Sequence, residues 1–218
     1  MSQVDSNVDT PATPVSAAMA RRFVYGLVAL SVFGFVLRCV RLGAQSFWID
    51  EVLSYAWIGE IDKLGLGTLL GDIHGPLHAV AIWLASRVSE SETCLRFPSV
   101  IAGTLAVPAI GLLGRAFWGE KAGLGAAALL AVSPFALYYS QECRNYAFSI
   151  LFAILTLLSV WCYLRRPSAR GGAAVVLAEL AGILSNLNGL FFTIGLGAWG
   201  LWVLRRNRRA LGVWCVAH

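Results

Sequence analysis

Lysine is almost missing from this chain: Lys63 and Lys121 stand against 15 arginines among its 17 basic residues. Charge of either sign is scarce, at 13% of 218 residues, while 58% are hydrophobic and the mean hydropathy is +0.70. A soluble domain carries about a quarter charged residues. So little charge excludes a disordered chain and argues against a single water-soluble globule. It also argues against a nucleic-acid partner despite the basic pI, because the cations punctuate apolar runs and do not cluster on one solvated face. There is no Walker loop, no GxGxxG after a strand, no HExxH and no GxSxG. None of the five cysteines lies in a CxxC pair. Cys39 and Cys162 fall in apolar runs and read as packing residues, and a Cys94–Cys143 bridge requires both to face an oxidising compartment. What remains is an all-α polytopic membrane protein.

Residues 1–20 are small and polar, contain Pro11 and Pro14, and read as a disordered cytoplasmic tail. Residues 21–218 read as one transmembrane domain. Arg21 and Arg22 open the apolar run Phe23 to Leu37; no small-x-small cleavage site follows, so this is an uncleaved signal anchor. Pro98 to Leu113, Ala122 to Tyr139 and Tyr146 to Leu164 are each predicted to span. Gly172 to Leu204 is too long for one crossing of about 20 residues, and Ser185 to Gly189 breaks it into a hairpin. Pro76 to Val88 is short and suits an interfacial helix. A further apolar run starts at Leu211 and ends with His218, which reads as an N-terminal part of a longer domain.

Charge decides whether Pro76 to Val88 crosses. If it does not, Arg21, Arg22, Arg115, Lys121, Arg165, Arg166, Arg170, Arg205, Arg206, Arg208 and Arg209 share one side, eleven of the 17 cations. Short cytoplasmic loops collect such residues. The other side then holds eight of the 12 acids. If the segment crosses, the asymmetry reverses. The expectation is six crossings, an inside N-terminus, a long first outer loop from about Arg41 to Phe97 with interfacial helices, and a second outer loop from Ser140 to Arg144.

Five places can carry chemistry. Asp50 and Glu51 follow the aromatic pair Phe47-Trp48 at the start of the first outer loop; they suit a general base, or the acidic first turn of a juxtamembrane helix. His74 and His78 flank Gly75-Pro76-Leu77 at helical spacing, which can hold a metal or mark two interfacial histidines. Glu142 and Arg144 lie in the polar stretch Tyr138 to Tyr146. There Arg144 offers a planar fork to a phosphate and Glu142 an acid for a metal or sugar hydroxyl, unless the two form an ordinary local pair. Arg96 stands at the mouth of the second span, able to reach a lipid phosphate or to snorkel. Glu179 is an ionisable residue inside an apolar helix and is a functional hypothesis by default.

The order of Phe47-Trp48-Ile49-Asp50-Glu51, His74-Gly75-Pro76-Leu77, Arg96 to Arg115 and Tyr138 to Phe148 resembles the polyprenyl-phosphate-sugar glycosyltransferases of the GT-C superfamily. The similarity is to the group of protein O-mannosyltransferases, lipid A aminoarabinose transferases and rhizobial lipopolysaccharide-core transferases. Leu187 to Phe191 looks like a degenerate family hairpin. The resemblance implies an enzyme of the plasma (inner) membrane. It takes a sugar from a polyprenyl-phosphate carrier and transfers it, with inversion, to a lipid, glycan or protein acceptor on the outer face. It implies that Asp50 is the general base, that Glu51 helps to bind acceptor or shape the site, and that Arg96, Glu142 and Arg144 surround the donor phosphate. His74 falls where some relatives place a metal-binding carboxylate, so a divalent metal is left open and no other cofactor is implied. The alternatives to a transferase are a transport or lipid-scaffold protein using Glu179, and an inactive remnant.

Overall fold

The computed structural model describes residues 14–65, 67, 68, 75–205 and 212. Among the described residues there are nine helices and no strands: α1 (Pro14–Cys39), α2 (Ile49–Leu64), α3 (Pro76–Ser86), α4 (Glu92–Trp118), α5 (Glu120–Val132), α6 (Pro134–Ser140), α7 (Tyr146–Arg165), α8 (Ala169–Ser185) and α9 (Asn188–Leu204). This is the all-α membrane bundle that the composition predicts. Three helices, α1, α4 and α7, are long and apolar enough to cross a membrane; α5 and α6, bent by 58° at Ser133, bring the number to four if the pair is one span. The expected hairpin is α8–α9, two helices of 17 residues each, at the lower end of the length that spans.

Two expectations need correction. Residues 14–20 are helical and not tail: Ala17, Ala18 and Ala20 are strong helix formers, and Pro14 suits a first helical position. The remainder of the expected tail, residues 1–13, lies outside the described residues. The run Ala122 to Tyr139 is not one helix. Pro134 has no N–H to give Leu130, and Ser133 instead caps α6 by accepting from the Ala136 N–H. The freed carbonyls of Leu130 and Ala131 each accept from Arg38, at 3.4 Å. Arg38 also donates to Gly34 O and Ser140 Oγ, and it is completely buried. It lies in the last turn of α1, inside the bundle.

α4 is the central helix, packed against α1, α3, α5, α6 and α7. Its contact with α5 runs through small residues. A Cβ on Gly123 would lie 2.4 Å from the Gly111 carbonyl, so the two backbones touch, as close-packed membrane helices do. One face of α1, including Val28, Val32 and Val36, is exposed and suits lipid.

α3 has 11 residues, about 16 Å of helix, against about 30 Å of hydrocarbon. Contacts around it confirm that the segment between α1 and α4 leaves and returns at one end of the bundle. Glu51, just after α1, bonds Arg96 in the first turns of α4, and Arg96 reaches back to Leu42 and Gln45. The α6–α7 connection joins the same cluster through Cys143. The α8 C-terminus meets it too: Asn145 donates to Ser185 O, and Gly75, at φ +81°, sits where a Cβ would lie 2.4 Å from Leu184 O. At the opposite end Arg115 stacks over Phe23 and pairs with Glu120.

Candidate active site

The site is built on a knot at Glu51. α2 starts immediately after Trp48, so Asp50 and Glu51 fall in its first turn, where acidic side chains complement the helix dipole. This agrees with the helix-start reading of the pair, but only in part, because the two carboxylates point to different partners. Glu51 is 1% exposed. Its Oε1 accepts from Arg96 Nε at 2.8 Å and from the Cys143 N–H at 2.7 Å, and its Oε2 accepts from Arg96 Nη2 at 2.7 Å. Oε2 also receives the Trp48 N–H at 3.4 Å. One carboxylate thus ties together the α1–α2 connection, α4 and the α6–α7 connection.

Arg96 is equally committed. Besides the fork on Glu51, its Nη1 donates to Leu42 O (2.8 Å) and Gln45 O (2.9 Å). Four of the five guanidinium N–H groups are used inside the protein, leaving one on Nη2. The residue neither snorkels to water nor presents a free fork to a phosphate.

Asp50 turns the other way. Its carboxylate, one-third exposed, lies 3.9 Å from Arg144 Nη2. Arg144 also donates to Asp50 O (3.2 Å) and Ser54 Oγ (3.3 Å) and stands over the Tyr146 ring. Arg144 therefore packs onto the α2 N-terminus; a local ion pair with Glu142 is not what holds it. Its Nε has no hydrogen-bond partner in the protein.

Glu142 is 5% exposed and its Oε2 accepts no hydrogen bond. Burial pushes its carboxyl above the usual range, against the Tyr138 hydroxyl bonded to it; neighbouring Glu51 adds to the rise, while Arg144 and Arg96 oppose it. Glu142, Glu51 and Arg96 line a cavity of about 600 Å³ together with Trp48, Tyr138 and Gln141. Asp50 does not line it. Gln141, which the sequence did not single out, secures one wall by donating to Arg38 O in the last turn of α1 at 3.0 Å and to Val40 O just beyond it at 2.9 Å. Ser54 and Asn145 were likewise missed. Nothing in their spacing marks them, because their role comes from packing between distant segments.

On the Arg144 side, Ser54, His78, Arg144 and Asn145 line a chamber of about 40 Å³, large enough for a water. His78 is buried, packs edge-on against Phe148, and has no partner at Nε2. Burial, and then Arg144, pull its pKa down to about 3, so it is neutral. In unfolded chain it would take up a proton at about pH 6.5. As pH falls through that window the unfolded state binds the extra proton, and stability is lost. Thermal melts in detergent between about pH 4 and pH 7 should therefore fall more steeply for the parent protein than for His78→Gln, and parallel curves would refute the burial argument.

His74 lies outside the described residues. Among the described residues no three metal-ligating side chains cluster, and both Glu51 oxygens are engaged by Arg96. Cys94 and Cys143 are separate thiols; Cys94 donates to Ala85 O, and burial pushes Cys143 up to about 12. Glu179 is buried and lines a cavity of about 310 Å³ between α7, α8 and α9, with Ser149, Thr156 and Asn186.

A family model described as dolichyl-phosphate-mannose-protein mannosyltransferase matches residues 73–216, well over half of the chain. That span includes α3, α4, the Glu142–Arg144 connection and the α8–α9 hairpin, and it begins after Asp50 and Glu51. No curated protein matches the chain, and no solved structure does. With the helical membrane bundle and the matched span together, the chain belongs to the dolichyl-phosphate-mannose-protein mannosyltransferase family of GT-C-type membrane glycosyltransferases.

Proposed function

We propose that this protein moves a sugar from a polyprenyl-phosphate carrier to an acceptor hydroxyl on the non-cytoplasmic face, inverting the anomeric carbon. Family membership supports glycosyl transfer with a lipid-linked donor. The apposition of Asp50 and Arg144 at 3.9 Å supports the assignment of roles. Asp50 takes the acceptor's hydroxyl proton. The acceptor oxygen then bonds the anomeric carbon as the bond to the phosphate oxygen breaks, and the electron pair leaves on the phosphate. A phosphate leaves without a protonating acid when cations neutralise it, and Arg144, packed against the α2 N-terminus, supplies that charge. Arg96 adds its one remaining N–H and acts mainly by holding Glu51 in place. Glu142, with its raised pKa, binds a hydroxyl and not the phosphate. A divalent ion, were His74 to bring one, would contribute charge to the same leaving group.

The reading sets residues 21–218 in the plasma (inner) membrane with residues 1–20 cytoplasmic and the Asp50 end outside. It rests on the cation asymmetry along the sequence and on the gathering of Asp50, Arg96 and Glu142 at one end of the bundle. In a cysteine-free background, cysteines at positions 50 and 142 should react with an impermeant maleimide added to intact cells. Cysteines at positions 115 and 166 should react only after permeabilisation. Labelling of position 142 from the cytoplasmic side alone would overturn both the orientation and the placement of the reaction.

A further inference from the structure

The cavity between the α1–α2 connection and α6 contains chemistry that the Asp50–Arg144 pair does not use. At about 600 Å³ it is within the size range of small-ligand sites. Its charged walls largely cancel, since Glu51 and Arg96 satisfy one another. Arg41 is exposed and Arg96 has a single N–H to spare, so the cavity is a poor match for a phosphate, which is held by several convergent cationic donors. What it does offer is an acceptor: Glu142 lines it, is 5% exposed, and has a buried Oε2 with no partner. A buried carboxyl oxygen left unbonded is unfavourable, and a ligand hydroxyl donating to it would remove the penalty. Two aromatic residues, Trp48 and Tyr138, complete the walls and are 42% and 58% exposed. Aromatic faces pair with apolar C–H surface while their polar edges stay wet. A ligand rich in hydroxyls on its edge and apolar on its face is a pyranose ring.

We propose that this cavity binds a saccharide unit, its hydroxyls on Glu142 and its C–H face against Trp48 and Tyr138, and that this unit belongs to the acceptor. The binding stands on the cavity alone; its assignment to the acceptor rests on the transferase reading. The acceptor is then glycan-bearing, with one saccharide unit held in the cavity while Asp50 and Arg144, which do not line it, act on another of its hydroxyls.

The test uses the full chain in lipid nanodiscs, with methyl α-mannopyranoside and methyl β-galactopyranoside as probes and saturation-transfer NMR as the readout. Inorganic phosphate and ethanolamine are the competing probes. Saturable binding of at least one glycoside is expected, displaced by neither competitor. Trp48→Ala should weaken it about tenfold, the loss of one aromatic contact, and Glu142→Leu should remove it. Glu142→Gln, which keeps the side chain's size, should weaken binding while leaving the melting temperature near that of the parent, which separates binding from folding. Asp50→Asn should leave glycoside binding unchanged. Absence of saturable glycoside binding, equal binding by the Trp48 and Glu142 variants, or displacement by phosphate or ethanolamine would each overturn the proposal. Transfer without glycoside binding would refute this cavity's role and leave the transferase reading standing. Glycoside binding in a chain that transfers no sugar would keep the saccharide site but refute its assignment to the acceptor.

Discussion

Asp50→Asn is expected to cut sugar transfer from a polyprenyl-phosphate donor in membranes by about 10²–10⁴-fold, the usual worth of a general base, with little effect on insertion or stability. The asymmetry follows from geometry. Asp50 is one-third exposed and its distance to Arg144 is 3.9 Å, so the pair contributes at most about 1 kcal/mol to folding. Its helix-dipole contribution is about 0.3–1 kcal/mol, and Asn retains the shape and much of the capping ability. Asn cannot accept a proton from the acceptor. If Asp50 serves only as the acidic start of α2, turnover stays near normal. Near-normal turnover would move the base to Glu51 or Glu142. Of these, Glu142 has the free oxygen, whereas Glu51 is saturated by Arg96 and Cys143. Arg144→Lys should instead weaken the proposed donor step, because a lysine keeps the charge but loses the planar fork that spans Asp50 and Ser54.

Arg96→Leu is expected to give the largest loss of stability among single changes at the site. It leaves the Glu51 carboxylate, 1% exposed, without its countercharge, and breaking a buried pair from one side costs about 3–5 kcal/mol. It also strands Leu42 O and Gln45 O, which Arg96 caps. Glu51→Gln is gentler: the amide oxygen still accepts from one partner, and the loss should be roughly 1–3 kcal/mol. Melts of the two single variants and the double variant in nanodiscs give the coupling between the residues. A double variant no worse than Arg96→Leu alone is the expected outcome, since the stranded charge is then gone. Wild-type melting by Arg96→Leu would mean that the knot does not hold the site end together.

The bundle was legible in the sequence because lipid imposes a strong pattern. Apolar runs near 20 residues, bounded by arginines, had few alternatives, and the cation asymmetry identified α3 as a helix that does not cross. The contact of Glu51 with Arg96 places both ends of that segment together. What escaped the pattern was set by partners far away in the chain. The break at Ser133-Pro134 is local chemistry, but that Arg38 fills the freed carbonyls could not be read from a residue 92 positions earlier. Arg96 looked free for a phosphate because it stands at a span's mouth. In the fold its donors are absorbed by Glu51, Leu42 and Gln45, the last two with no spacing signal at all. Conversely, the acidic pair of α2 did look like a helix start, and it is one. Within the pair, the two carboxylates are told apart only by where each side chain turns: Glu51 to Arg96 and Cys143, Asp50 to Arg144.

Inverting transfer assisted by Asp50 predicts a product whose anomeric configuration is opposite to that of the donor. The full chain in membranes is given a polyprenyl-phosphate-linked sugar of known configuration and an acceptor, and the product linkage is read by NMR. Inversion that disappears in Asp50→Asn is predicted. Retention would require a covalent glycosyl intermediate on a carboxylate, and retention, or inversion undiminished in Asp50→Asn, would rule out inverting transfer with Asp50 as its base.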